Sequence, residues 1–303
     1  MNKIIDLHTH LDTLDPIIKL RSILQGHLIS IDNHNKESKV ILNVAIYSLR
    51  IKGFSHIVEM IKKIKDEITS KDQVILIESQ RELNSNFKIG IILHLESARC
   101  LKDYPTQLPI LFKLGVRGII PLHFVDNLFG NSCDDPLRRL YTNKKDNGLS
   151  EDGIKLVKLA NTLGMWIDLS HCTDKTAIDI CKVADNVMVS HVGFREIVGF
   201  KRNFSKKILI EVIKKNGLIG LTPWQHLIGN SYESYKKTIE FGLKNEYGNS
   251  LCIGSDFGAP IKTHSSIKSI FDLRKIVNQM NDDSNRILWD NGYNFFNKVL
   301  PKD

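Results

Sequence analysis

Residues 148–191 read GLSEDGIKLVKLANTLGMWIDLSHCTDKTAIDICKVADNVMVSH. Ser150, followed by Glu151 and Asp152, supplies a cap and first-turn acids for a helix, because its hydroxyl accepts from orphan N–H groups and carboxylates suit the positive helix end. Ile154, Val157, Leu159 and Ala160 keep the three- and four-residue apolar spacing of a helix face, and Gly164 closes it. Two apolar runs of strand length follow, Met165–Leu169 and Val187–Ser190, and each leads into a Ser-His pair, Ser170-His171 and Ser190-His191. Short apolar runs alternating with longer amphipathic segments form a parallel sheet with helices packed on it.

The same alternation runs through the rest of the 303 residues. Strands are predicted at Lys3–Leu7, Val40–Ile46, Val74–Ile77, Ile89–Leu95, Gly118–Leu122, Met165–Leu169, Val187–Ser190 and Leu218–Leu221, with Leu251–Gly254 as a ninth. A barrel of this kind closes with eight. One of these assignments is therefore expected to be spurious, and Val74–Ile77, or a nearby run, is the weakest because the segments on either side of it are short. Ile57, Met60, Ile61 and Ile64 mark another helix face, and from Ser266 onward the chain reads as helices without strands. The expected fold is α/β, a (β/α)8 TIM barrel with extra C-terminal helices, in which residues 1–303 form one domain without a linker, repeat or low-complexity tract.

Hydrophobic residues make up 42% and charged residues 25% of the chain, which is ordinary for a folded globular protein. The formal charge of +8 comes from basic residues spread among acids, and the densest stretches, Lys62–Lys65, Arg138–Lys145 and Lys201–Lys207, are short and interrupted. They read as solvated faces, so no nucleic-acid partner is expected. No apolar run is long enough to cross a bilayer, and Met1 to Asp6 leads into His8 without an apolar leader; no membrane association is expected. Five cysteines without a C-x-x-C pair fit free thiols in a reducing compartment, so a cytoplasmic location is expected.

The chemistry lies at the strand ends. His8, His10, Glu96, His123, His171, His191 and Asp256 each fall at or just past the end of a predicted strand, and in a barrel those ends meet on one face. His8 and His10 are two apart on extended chain and so share a side. Glu96 ends the apolar run Ile91-Ile92-Leu93-His94-Leu95, where a carboxylate needs compensation. Imidazole and carboxylate together suit Zn²⁺, with Mn²⁺, Fe²⁺, Co²⁺ and Ni²⁺ as alternatives. Two adjacent cations would polarise a substrate carbonyl and lower the pKa of a bridging water toward neutrality. Asp256, in Gly254-Ser255-Asp256-Phe257-Gly258, is placed to carry that water's proton, or else caps a helix. His123 is placed to donate to a developing oxyanion. His94 shares the strand parity of Glu96 one layer deeper and is expected as a hydrogen-bonded core histidine.

With these residues in place the chain resembles the membrane (renal) dipeptidase family, peptidase family M19, of the amidohydrolase superfamily. The resemblance is widest from Gly148 to His191, and Leu114-Gly115-Val116-Arg117, His123, Asn127, Arg202-Asn203 and Gly254-Ser255-Asp256-Phe257 add landmarks in family order. It implies a metal-dependent hydrolase barrel with two zinc ions bridged by Glu96, His8 and His10 on one ion, and His171 and His191 on the other. It implies further that His123 contacts the tetrahedral intermediate, that Asp256 moves the proton, and that Arg202, with Asn203 beside it, binds the substrate carboxylate through a planar guanidinium fork. The implied activity is hydrolysis of dipeptides, L,D forms included, the partner a small dipeptide-like substrate, and a homodimer is the assembly weighed against a monomer. The chain departs from the family pattern at His8-Thr9-His10, where the family has His-x-Asp, and at Ser97-Ala98-Arg99-Cys100, which replaces a Gly-rich segment. The opening Asp6-Leu7-His8-Thr9-His10-Leu11-Asp12 also resembles TatD-like metal-dependent nucleases, the alternative activity.

Overall fold

The computed structural model describes residues 3–12, 19, 27, 29–34, 39–47, 53–135 and 145–302; of the basic stretches, 138–144 lies outside them. Among the described residues nine parallel strands form the sheet: β1 Lys3–Thr9, β2 Lys39–Tyr47, β3 Val74–Leu76, β4 Ile89–Glu96, β5 Val116–Ile120, β6 Trp166–Asp168, β7 Val187–Val192, β8 Leu218–Leu221 and β9 Leu251–Ile253. Eight of them close a ring in the order β2, β1, β9, β8, β7, β6, β5, β4, with β4 returning to β2. At the seam Ala45 lies beside His94 and Tyr47 beside Glu96, so the mouth of the barrel begins level with the carboxylate.

Val74–Leu76, expected to be the spurious assignment, is a strand, β3. It pairs only with the first residues of β4, Ile89 to Ile91, while β5 takes the upper half of the same edge from Leu93 to Glu96. β3 is thus a real strand outside the ring. One boundary differs from expectation in a way that matters: β7 runs to Val192, so His191 sits inside the strand and not past its end.

Helices Gly53–Thr69, Tyr104–Lys113, Glu151–Leu163, Asp174–Val183, Lys206–Lys214 and Tyr232–Lys244 lie between successive strands, and Ile270–Val277 and Asn291–Val299 follow β9. The helix read from residues 150–164 is capped as anticipated: Ser150 Oγ accepts from Gly153 N at 2.9 Å, and Gly164 adopts φ +75° at the other end. One apolar layer fills the space between strands and helices. A second fills the lower barrel, where Ile5, Leu7, Ile41, Ile92, Trp166, Met188 and Leu218 meet Phe295 and Phe296 of the last helix. Trp166 is fully buried there. Its indole occupies the space in front of Gly118, where a Cβ would lie 2.1 Å from the ring. A floor of this kind leaves the upper barrel for polar groups.

Candidate metal centre

Above the floor, seven polar side chains converge. Glu96, nearly fully buried on β4, places Oε1 at 3.7 Å from His8 Nε2, 3.4 Å from His123 Nε2 and 3.5 Å from His171 Nε2, and Oε2 at 3.7 Å from His10 Nε2. Asp256 Oδ1 lies 3.7 Å from His8 Nε2 and 3.8 Å from His10 Nε2. His191 Nε2 is 3.1 Å from His171 Nε2. Every sequence-predicted metal and proton-transfer residue is therefore in one cluster. Ligand atoms within 4.8 Å of one another fall into the groups His8–His10–Glu96, Glu96–His123–His171, His8–His191–Asp256 and His8–His94–Asp168.

Two buried aspartates assemble the cluster by tying neighbouring strand ends together. Asp6 accepts from Ser255 Oγ at 2.5 Å, Ser255 N at 2.8 Å and His8 N at 3.2 Å, joining β1 to the end of β9. Asp168 Oδ1 accepts from Ser170 N and Ser190 N, both at 3.0 Å, joining β6 to β7. Burial pushes Asp6 up to about 7 in spite of these donors. Backbone strain marks the same ends. Ser97, Phe124, His171 and Asp256, which follow β4, β5, β6 and β9, adopt φ of +88°, +59°, +69° and +56°, a region that L-residues enter at a cost of about 1–3 kcal/mol each.

The electrostatics suit metal ligation. Burial, together with neighbouring histidines, holds His8 and His191 well below their ordinary value, so both rings are neutral; a metal requires that lone pair free. Burial alone would raise Glu96, but the histidines around it, among them His10 and His171 whose own values are raised, outweigh it and hold the carboxyl well below its ordinary value. Burial raises Asp256, with His10 opposing, which moves it toward the range of a general base. Burial puts His123 at about 4. His8 Nε2 is buried without a hydrogen-bond partner among the described residues, an expense that a cation at this point would remove. The donor set of imidazoles and carboxylates fits a divalent transition metal.

Ring orientation comes from a layer beneath. His94 Nε2 lies 3.0 Å from His8 Nδ1, in keeping with its expected place as a hydrogen-bonded core residue. Ser190 Oγ stands between two rings, 3.2 Å from His8 Nδ1 and 2.8 Å from His191 Nδ1. Asp134 Oδ2 holds His171 Nδ1 at 2.6 Å. Neither Ser190 nor Asp134 was singled out from the sequence; Ser190 carried the repeated Ser-His signal, while Asp134 lies in an irregular loop without periodicity.

Arg202 is 2% exposed, although it belongs to a basic stretch read as a solvated face. Among the described residues none of its three guanidinium nitrogens has a hydrogen-bond partner, and the nearest anion is Asp134 Oδ2, 3.6 Å from Nε. Asn203 is also buried, but its carboxamide is committed to the surrounding backbone: Oδ1 accepts from Gly193 N at 2.9 Å, and Nδ2 donates to Leu227 O at 2.8 Å and Val198 O at 2.9 Å.

The model of a family described as Membrane dipeptidase (Peptidase family M19) matches residues 20–299. Among curated proteins, dipeptidase verJ of Clonostachys rogersoniana is 31% identical over 133 residues, 43% of this chain and 32% of that protein. Dipeptidase 3 of Macaca fascicularis is 29% identical over 160 residues, 52% of this chain and 32% of that protein. The matched part spans about a third of either relative's length. Among solved structures, a metallopeptidase from Rhodobacter sphaeroides, liganded with a phosphinate mimic of the dipeptide L-Ala-D-Ala, superposes with a TM-score of 0.81 at 16% identity, over 98% of this chain and 99% of that one. That likeness is one of fold.

Proposed function

The chain belongs to the membrane dipeptidase family, peptidase family M19, and from that premise we propose that it hydrolyses the amide bond of dipeptides with two divalent metal ions, zinc first among them. His8 and His10 would hold one ion and His171 and His191 the other, with Glu96 between them; that Glu96 belongs both to the group with His8 and His10 and to the group with His171 supports its shared place. When bound, such ions supply Lewis acidity to the scissile carbonyl and make water acidic enough to attack near neutral pH. Asp256, its carboxyl raised by burial and its Oδ1 facing His8 and His10, takes the proton of the attacking water and delivers it to the leaving nitrogen. His123, uncharged above about pH 4, donates from its ring to the developing oxyanion.

Arg202 carries the choice of a dipeptide over other amides. A buried guanidinium with no hydrogen-bond partner is costly, and a substrate carboxylate satisfies it with two parallel charge-assisted bonds. Asn203 serves this role by shaping the loop on which Arg202 stands. Among the described residues no helix is long and apolar enough to cross a membrane, and the substrate we propose is small and dissolved.

The test is a panel of L,L and L,D dipeptides, the latter prompted by the ligand of the Rhodobacter sphaeroides relative, with Zn²⁺, Mn²⁺ or Co²⁺ added. Release of free amino acids from at least one member is expected. A protein that leaves the whole panel intact while cutting DNA would be the nuclease alternative and not a dipeptidase.

A further inference from the structure

Asp134 touches two things that the proposed function keeps apart. Its Oδ2 accepts from His171 Nδ1 at 2.6 Å, and the same oxygen is the nearest anion to Arg202, 3.6 Å from Nε. The loop carrying it is stitched to the same histidine through the main chain, since Cys133 N donates to His171 O at 2.9 Å and Ser132 Oγ to that oxygen at 3.1 Å. The side chain of Asp134 is only 9% exposed, so water does little to screen either contact.

We propose that Asp134 is a positioning residue shared by the metal centre and the carboxylate-binding arginine. This rests on the reading of Arg202 given above. Through His171 Nδ1 it fixes the ring so that Nε2 faces Glu96, the task that a carboxylate behind a metal-bound imidazole performs. Toward Arg202 it is a counter-ion held too far for a hydrogen bond. It offsets the buried positive charge when no substrate is bound and leaves for a substrate carboxylate all three guanidinium nitrogens, which have no hydrogen-bond partner among the described residues. The cost is competition, because the fixed carboxylate repels the incoming one.

That competition gives a sign that a simple structural role would not. Asp134→Asn keeps an oxygen that accepts from His171 Nδ1–H and removes the negative charge. We expect KM for free dipeptides to fall by roughly three- to tenfold as the electrostatic penalty is lifted, with KM for C-terminally amidated dipeptides unchanged. Metal affinity, measured by competition with a chromophoric chelator, should fall by less than about tenfold in Asp134→Asn and by about 10- to 100-fold in Asp134→Ala, which has no acceptor. A rise in KM for free dipeptides in the folded Asp134→Asn protein overturns the sharing, as does unaltered metal affinity in Asp134→Ala. Should neither variant fold, Arg202→Gln decides: with the repelling guanidinium gone, metal is expected to bind at least as tightly as in the wild type, and weaker binding overturns the proposal. A wild type that does not distinguish free from amidated dipeptides would sink the reading of Arg202 itself, which is a different result from either failure at Asp134.

Discussion

Replacing Arg202 by alanine separates recognition of the substrate carboxylate from the chemistry beside it. The guanidinium is 2% exposed and has no hydrogen-bond partner among the described residues, so a carboxylate docking there gains charge-assisted bonds in a desolvated setting, each worth about 1.5–3 kcal/mol. Two such bonds, less about 1 kcal/mol that an amide oxygen would still gain, and less some repulsion from Asp134, leave a difference of about 3 kcal/mol. At 1.36 kcal/mol per decade this is roughly a hundredfold in kcat/KM. The assay compares a dipeptide with its C-terminal amide in wild type and Arg202→Ala, and the informative quantity is the ratio of the two losses. Because Asp134 keeps its bond to His171, the metal side of the cluster is not expected to collapse. Equal losses on both substrates would refute the reasoning.

Three further outcomes follow from the same geometry. Gly118→Ala would place a Cβ 2.1 Å from the Trp166 indole and is expected to destabilise the fold by about 2–3 kcal/mol, as overpacking does; an unchanged denaturant midpoint would contradict the packed floor. His27 is buried against Phe257 and bonded to Thr263 Oγ1 at 3.3 Å, and burial, with a smaller push from Lys268, lowers it from 6.5 to about 4. The folded state thus binds fewer protons than the unfolded one in that window. The full contribution is present above pH 6.5, and about 3 kcal/mol is lost as the pH falls through 4; His27→Gln should flatten that part of the stability profile, and parallel profiles would exclude it. Ser190→Ala removes the hydroxyl between His8 and His191 and should lower metal affinity by about tenfold or more while moving the melting temperature little; unaltered affinity would mean that the rings orient themselves.

The barrel was legible because its signals are local. Ser150 and Gly164 punctuate a helix within fifteen residues, and the apolar runs before His171 and His191 are short enough to be strands only. The placement of the seven candidate side chains on one face follows from strand order alone. What was hidden is not local. β3 and its neighbours have similar apolar composition, and nothing in Val74-Ile75-Leu76 tells that β5 will occupy the rest of the β4 edge. Gly118 reads as a weak spot in a strand until Trp166 is seen to need the space. Asp134 stands in a turn whose partners, His171 and Arg202, are 37 and 68 positions away in the chain. Arg202 itself looked like surface because its neighbours Lys201 and Lys206 are. The positive φ values at His171 and Asp256 could not be read from the sequence, since histidine and aspartate enter that region more readily than most residues but do so at only a minority of positions.

His8, His10, Glu96, His171 and His191 are proposed to form a two-metal site for amide hydrolysis. The most direct test is a metal titration of chelator-treated protein in which bound metal and dipeptide hydrolysis are followed in the same samples. Hydrolysis absent from the stripped protein and restored as about two equivalents of zinc per chain are taken up is the expected result for a two-metal centre. Full activity in the metal-free protein would contradict it.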